Sequence, residues 1–189
     1  GLPLPPLAAS RTSPADAPVP LETTVAVETR VARDGRPIGR AVHAALDTIV
    51  GIGAHVTEVE QEAACLRAAQ DEGVAVNGVA ELVRVAIASP LMAQALAAPR
   101  RWSELYLAAP VDHEGVRLVE GFADLVFEGP DGLVLVDYKT DESISDETRQ
   151  HYAEQLTAYA ALIERATGTK VVSRRILHLA AGGASEFEV

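Results

Sequence analysis

The chain is short of cysteine, of aromatic residues and of positive charge. Its 189 residues include a single cysteine, Cys65, so no disulfide framework and no cysteine-rich metal site can form. Such a chain suits a reducing, cytoplasmic setting. No apolar run is long enough to cross a bilayer. The first twenty residues hold no basic stretch leading into an apolar one, so no secretory signal is read there. The sole methionine is Met92 and the first residue is Gly1. That pattern predicts a piece of a longer polypeptide. Lys and Arg total 16 against 27 Asp and Glu, a formal net charge of −11. A chain so acidic does not grip a polyanion by bulk charge. Any such contact rests on local cations, with Arg84, Arg100, Arg101, Arg174 and Arg175 as scattered candidates, or on delivery by a partner module.

What is present reads as a globular domain preceded by a tail. Nearly half the residues are apolar, which is enough for a core. Residues 1–36 are rich in Pro, Ala, Ser and Thr and lack periodicity, so they read as a linker or tail; residues 37–189 read as the domain. Val42, Leu46, Ile49 and Val50 recur at helical spacing. Thr57 and Glu60 form a capping-box pattern for a second helix that Gly73 stops. A third helix starts near Asn77, and Ser89-Pro90 opens a short fourth to about Ala97. The pattern then changes to strands at 104–108, 116–128 and 133–140. A long helix over about 147–166, with Asp146 as N-cap and Gly168 as stop, precedes a last strand at 171–179. Helices, a strand meander, a helix and a strand predict an α/β fold, a central mixed sheet of four or five strands flanked by helices, with an N-terminal helical region closing over the site.

The turn Gly129-Pro130-Asp131-Gly132 fixes a register. With Pro130 and Asp131 central, residues whose numbers sum to 261 face each other, and Asp124 and Asp137 do so. Opposed residues share a face of the sheet, and Lys139, two further on, shares it too. Apolar neighbours on both parities predict a sheet covered on both faces. Two carboxylates held together there repel and resist burial. A shared proton or a hard divalent cation such as Mg²⁺ relieves them. From these residues alone, two readings stay open. One is a structural salt bridge of Lys139 with either aspartate. The other is a centre for metal-assisted attack on a phosphodiester, with Lys139 orienting water or stabilising the transition state.

Gly121-Phe-Ala-Asp-Leu-Val-Phe127 followed by Val134-Leu-Val-Asp-Tyr-Lys-Thr-Asp141 closely resembles the PD-(D/E)xK nuclease superfamily. More narrowly it resembles the RecB-like nuclease domain at the C-terminus of RecB and AddA helicase-nucleases. Gly39-Arg-Ala-Val-His43, Glu104-Leu-Tyr-Leu107 and Gln155-Leu-Thr-Ala-Tyr159 match the family's other elements in its order. The resemblance spans most of residues 37–180. Residues 55–100 match only in character. It implies a restriction-endonuclease-like α/β fold and phosphodiester hydrolysis with Mg²⁺ or Mn²⁺. The implied substrate is a single-stranded DNA end, delivered by a helicase module in the same or a partner chain, in bacterial DNA repair or recombination. Asp124, Asp137 and Lys139 would be catalytic. Asp124, Asp137, His43 and the Tyr138 carbonyl would hold the metal. Gln155 and Tyr159 would face the site or the DNA. Glu104 is either a solvated strand residue or a helper at the site. Trp102 reads as a core aromatic, and His151 as a surface residue. The rival readings are an inactive nuclease-fold module that binds DNA or a partner, and a docking domain within a larger assembly. No Gly-x-x-x-x-Gly-Lys-Ser/Thr is present, so a motor would lie outside this chain.

Overall fold

The computed structural model describes residues 36–110 and 118–189. The predicted tail at 1–35 and the first residues of the second predicted strand lie outside them. Four helices come first: α1 (Pro37–Ile52), α2 (Glu58–Glu72), α3 (Val76–Ile87) and α4 (Pro90–Ala97). Three strands follow, β1 (Arg101–Pro110), β2 (Leu118–Glu128) and β3 (Leu133–Lys139). Helix α5 (Asp146–Thr167) leads to β4 (Val171–Ala180) and β5 (Gly183–Glu188).

Local chemistry sets the helix ends. Thr57 accepts from the Glu60 N–H while Glu60 accepts from the Thr57 N–H, a reciprocal cap on α2. Ser89 accepts from the Met92 N–H, and Pro90 follows at the first helical position, where its missing N–H costs nothing. The cap of α5 is Ser145, whose hydroxyl accepts from the Thr148 N–H at 3.1 Å. The expected cap, Asp146, is instead the first helical residue. Its charge there still favours the positive end of the helix.

The sheet runs in the order β1-β2-β3-β4-β5. All neighbours are antiparallel except β3 and β4, which run parallel with α5 as the crossover. The β2–β3 ladder pairs Leu125 with Val136 and Phe127 with Val134. Both pairs sum to 261, the register read from the turn. Strand β5 was not anticipated; Gly183–Glu188 is polar and pairs along β4.

Both faces of the sheet are covered. Leu125, Phe127, Val136, Tyr138, Leu177 and Leu179 join a core with α1 to α4. Ala123, Val126, Leu133, Leu135 and Ile176 join a second with Leu156, Tyr159, Ala160 and Ile163 of α5. Burying such side chains is the main drive to fold, about 1.5–3 kcal/mol for each large one. Arg101 locks the helical layer to the start of β1. Its guanidinium donates to the Val50 carbonyl at 2.7 Å and the Ala98 carbonyl at 3.2 Å, at the C-terminal ends of α1 and α4. Gly53, at φ 85°, leaves it room. Trp102 departs from expectation: it is 38% exposed rather than a core residue. Among the described residues no single helix is long and apolar enough to cross a membrane.

Candidate active site

The site forms where β1 and β2 break step. Their ladder runs to Ser103↔Leu125 and resumes at Leu105↔Ala123, passing over Glu104 and Asp124. Ala123 packs against α5, whereas Leu125 packs against the helical layer. In an unbroken strand those two would share a face. Glu104 has φ 50°, the left-handed region, the one described non-glycine residue that does. Such strain costs on the order of 1–3 kcal/mol and gathers at functional sites. The break turns both carboxylates toward α1. One ring nitrogen of His43 and one carboxylate oxygen each from Glu104 and Asp124 lie within 4.8 Å of one another.

His43 is fixed by two acceptors. Its Nδ1 is 3.2 Å from Asp124 Oδ1, and its Nε2 is 3.2 Å from the Tyr138 carbonyl. Both ring nitrogens face acceptors, an arrangement that the doubly protonated imidazolium satisfies. Burial pulls its pKa down, but Asp124, then Asp137 and Glu104, outweigh that and lift it to about 9. Gly39 lets α1 approach this closely: a Cβ there would lie 2.8 Å from the Thr140 hydroxyl oxygen.

The two aspartates titrate apart. Asp124 is 8% exposed and Asp137 5%. Burial pushes Asp124 up, but His43, Lys139 and the Tyr138 N–H, which donates to Oδ2 at 2.7 Å, bring it below the usual carboxylate range. Burial and the Asp124 charge raise Asp137 to about 6, against the pull of Lys139. The Lys139 ammonium stands 2.7 Å from Asp137 Oδ2, which has no other hydrogen-bond partner. Burial lowers Lys139, yet Asp137 and Asp124 more than compensate and keep it cationic.

Helix α5 completes the surroundings. Gln155 Nε2 donates to the Tyr159 hydroxyl at 3.1 Å. That hydroxyl sits directly over Gly121, where any Cβ would overlap it. The spacing-derived shared face of Gln155 and Tyr159 is therefore spent partly on tying α5 to β2, three residues before Asp124. One residue was missed. The Tyr152 ring lies under Lys139, its centroid 4.2 Å from Nζ, and its hydroxyl donates to Asp141 at 3.3 Å. Its helical spacing from Gln155 and Tyr159 was the available signal. His178 Nε2 donates to the Asp141 carbonyl at 2.7 Å and holds the chain that leaves Lys139. His151 is exposed, as expected.

The donor set is carboxylate oxygens, a backbone carbonyl and an imidazole, which suits a hard divalent ion. Two donors on one such ion lie at most about 4.5 Å apart, close to the spread of His43, Glu104 and Asp124. Asp137 Oδ2, held only by the Lys139 ammonium, has lone-pair capacity left for a further partner. A mixed sheet that gathers carboxylates from β1, β2 and β3 and a lysine from β3 beside the break between β1 and β2 has the arrangement of a nuclease-type α/β domain. The model of the PD-(D/E)XK nuclease superfamily matches residues 21–188, and the chain belongs to that family. Over 181 residues it is 29% identical to an ATP-dependent helicase/nuclease subunit from Desulforudis audaxviator (strain MP104C), covering 84% of this chain and 14% of that protein. Over 88 residues it is 36% identical to the corresponding helicase/nuclease subunit from Thermoanaerobacter sp. (strain X514), covering 44% of this chain and 7% of that protein. The chain thus spans a small part of the length of these relatives.

Proposed function

We propose that this domain is a metal-dependent deoxyribonuclease, acting as an exonuclease on single-stranded DNA within a cytoplasmic helicase-nuclease of DNA repair or recombination. The observation that carries the reading is the buried pair Asp124 and Asp137, with Lys139 against Asp137 and His43 against Asp124. A module freed from catalysis has no reason to hold two carboxylates together against their own repulsion. Asp124, Asp137, His43, Glu104 and the Tyr138 carbonyl would hold Mg²⁺ or Mn²⁺. When bound, the ion would polarise a phosphoryl oxygen and acidify a water. His43 would have to be neutral at the nitrogen it offers the ion. Lys139, held by Asp137 and the Tyr152 ring, donates to the phosphoryl oxygen on which charge develops. The water oxygen would add to phosphorus and release a proton to solvent, the ester P–O bond would break, and the leaving oxygen would take up a proton from solvent.

The helicase partner rests on the named relatives and on the charge. At −11, and with Arg100, Arg101, Arg174 and Arg175 all bonded within the protein, the chain is poorly equipped to capture DNA unaided. Linear and circular single strands of one sequence test the end requirement. An exonuclease degrades the linear strand with Mn²⁺ and spares the circle. Equal cutting of both would replace the exonuclease reading with an endonuclease.

A further inference from the structure

Beyond the break, β1 and β2 carry an aromatic pair on a surface that the nuclease reading does not use. Tyr106 and Phe122 are direct cross-strand partners, with ring centroids 5.2 Å apart and planes tilted by 51°. They are 52% and 38% exposed. Their neighbours Leu105, Leu107 and Ala123 pack toward α5, so the two rings stand on the opposite face, the one α1 covers further along. Each ring is two residues from a site carboxylate: Phe122 from Asp124, and Tyr106 from Glu104. At about 3.4 Å per residue that is roughly 7 Å, about one nucleotide along a strand.

We propose that Tyr106 and Phe122 form a stacking platform for a base of single-stranded nucleic acid, next to the phosphate held at the metal site. The proposal rests on the nuclease reading of that site and deepens it. Chemistry selects the occupant. The charged group that holds Tyr106 is Glu120, which accepts from the Tyr106 hydroxyl at 2.8 Å. A carboxylate there repels phosphates, so the surface suits an uncharged flat group. A duplex presents phosphates and hides its base faces, whereas a single strand offers them. The Glu120 bond also fixes the Tyr106 ring, which lowers the entropy lost when a base settles on it. Exposed aromatics set beside a cleavage centre would thereby confer single-strand preference without reading sequence.

The test measures binding of the full chain to fluorescent oligothymidylate, and to an abasic strand of the same length and charge, by anisotropy with Ca²⁺ in place of Mn²⁺. Wild type is expected to bind the base-bearing strand the more tightly. Tyr106→Ala and Phe122→Ala should each weaken that binding by about tenfold and leave the abasic strand unaffected. Tyr106→Trp should retain binding, and thermal melts would show the variants folded. Alanine variants that bind like wild type, equal losses on both strands, or a wild type indifferent to bases would each overturn the platform. Mn²⁺-dependent thermal stabilisation is recorded in parallel. Its presence with a failed platform leaves the metal-site reading standing; its absence removes that reading as well.

Discussion

His43 is where charge, protonation and metal binding meet. With its folded pKa raised from 6.5 to about 9, the stabilisation it provides in the metal-free protein is fully present below about pH 6.5 and fades as pH rises through 9. Thermal melts in EDTA across pH 6 to 10 should show this loss, and His43→Ala should show a smaller slope over the same window. A wild type and variant with parallel profiles would refute the imidazolium assignment. Because a ligand histidine must be neutral, metal affinity should climb over the same range. Lys139 offers a second residue-scale prediction. Replacing Tyr152 by leucine removes the ring face under its ammonium while leaving Asp137 in place. Cleavage should slow with little change in strand affinity, and Tyr152→Phe should restore most of the rate. A leucine variant as fast as wild type would exclude a role for the ring.

At the scale of elements, two close approaches hold the layers in place. Gly121 lies under Tyr159, with a Cβ there only 2.7 Å from Cζ and overlapping the hydroxyl. Gly121→Ala should lower stability by about 1–3 kcal/mol, the usual cost of overpacking. Its cost should shrink in a Tyr159→Ala background, where the obstruction is gone; additive losses by denaturant melt would contradict the contact. Arg101→Ala leaves carbonyls at the ends of α1 and α4 without their donor, a loss of about 1–3 kcal/mol. Helix ends and the β2–β3 register were legible because capping residues and a two-residue turn encode them locally. The α5 cap was displaced by one residue because Ser145 and Asp146 are both competent caps, and only backbone placement chooses between them. Strand β5 carries one apolar residue of size, Phe187, and no alternation a sequence reading could seize. The break at Glu104 was equally hidden. Ser103 and Glu104 are two adjacent polar residues that interrupt the alternation without saying how the backbone turns, and the left-handed φ of Glu104 belongs to the pairing with β2. For the same reason Trp102 looked like core: whether a strand's flank is covered depends on where the helices stop.

For the whole molecule, charge and site point to different sources of affinity. The chain is acidic, Arg100, Arg101, Arg174 and Arg175 are engaged by backbone carbonyls and ion pairs, and its relatives are far longer chains. On the proposed reading, bulk charge adds little to DNA affinity, and affinity for metal comes from within the site. Saturating Mn²⁺ should therefore stabilise this chain, by about 2.7 kcal/mol at a hundred times the dissociation constant. Asp124→Asn should abolish the shift, and Glu104→Gln should reduce it. The most direct measurement is degradation of end-labelled single-stranded DNA by this chain, with Mn²⁺ and with EDTA, beside its Lys139→Ala variant. The account predicts metal-dependent shortening of the strand by the wild type and none by the variant, with both proteins stabilised by Mn²⁺. Equal cleavage by wild type and variant, or cleavage that persists in EDTA, would contradict it.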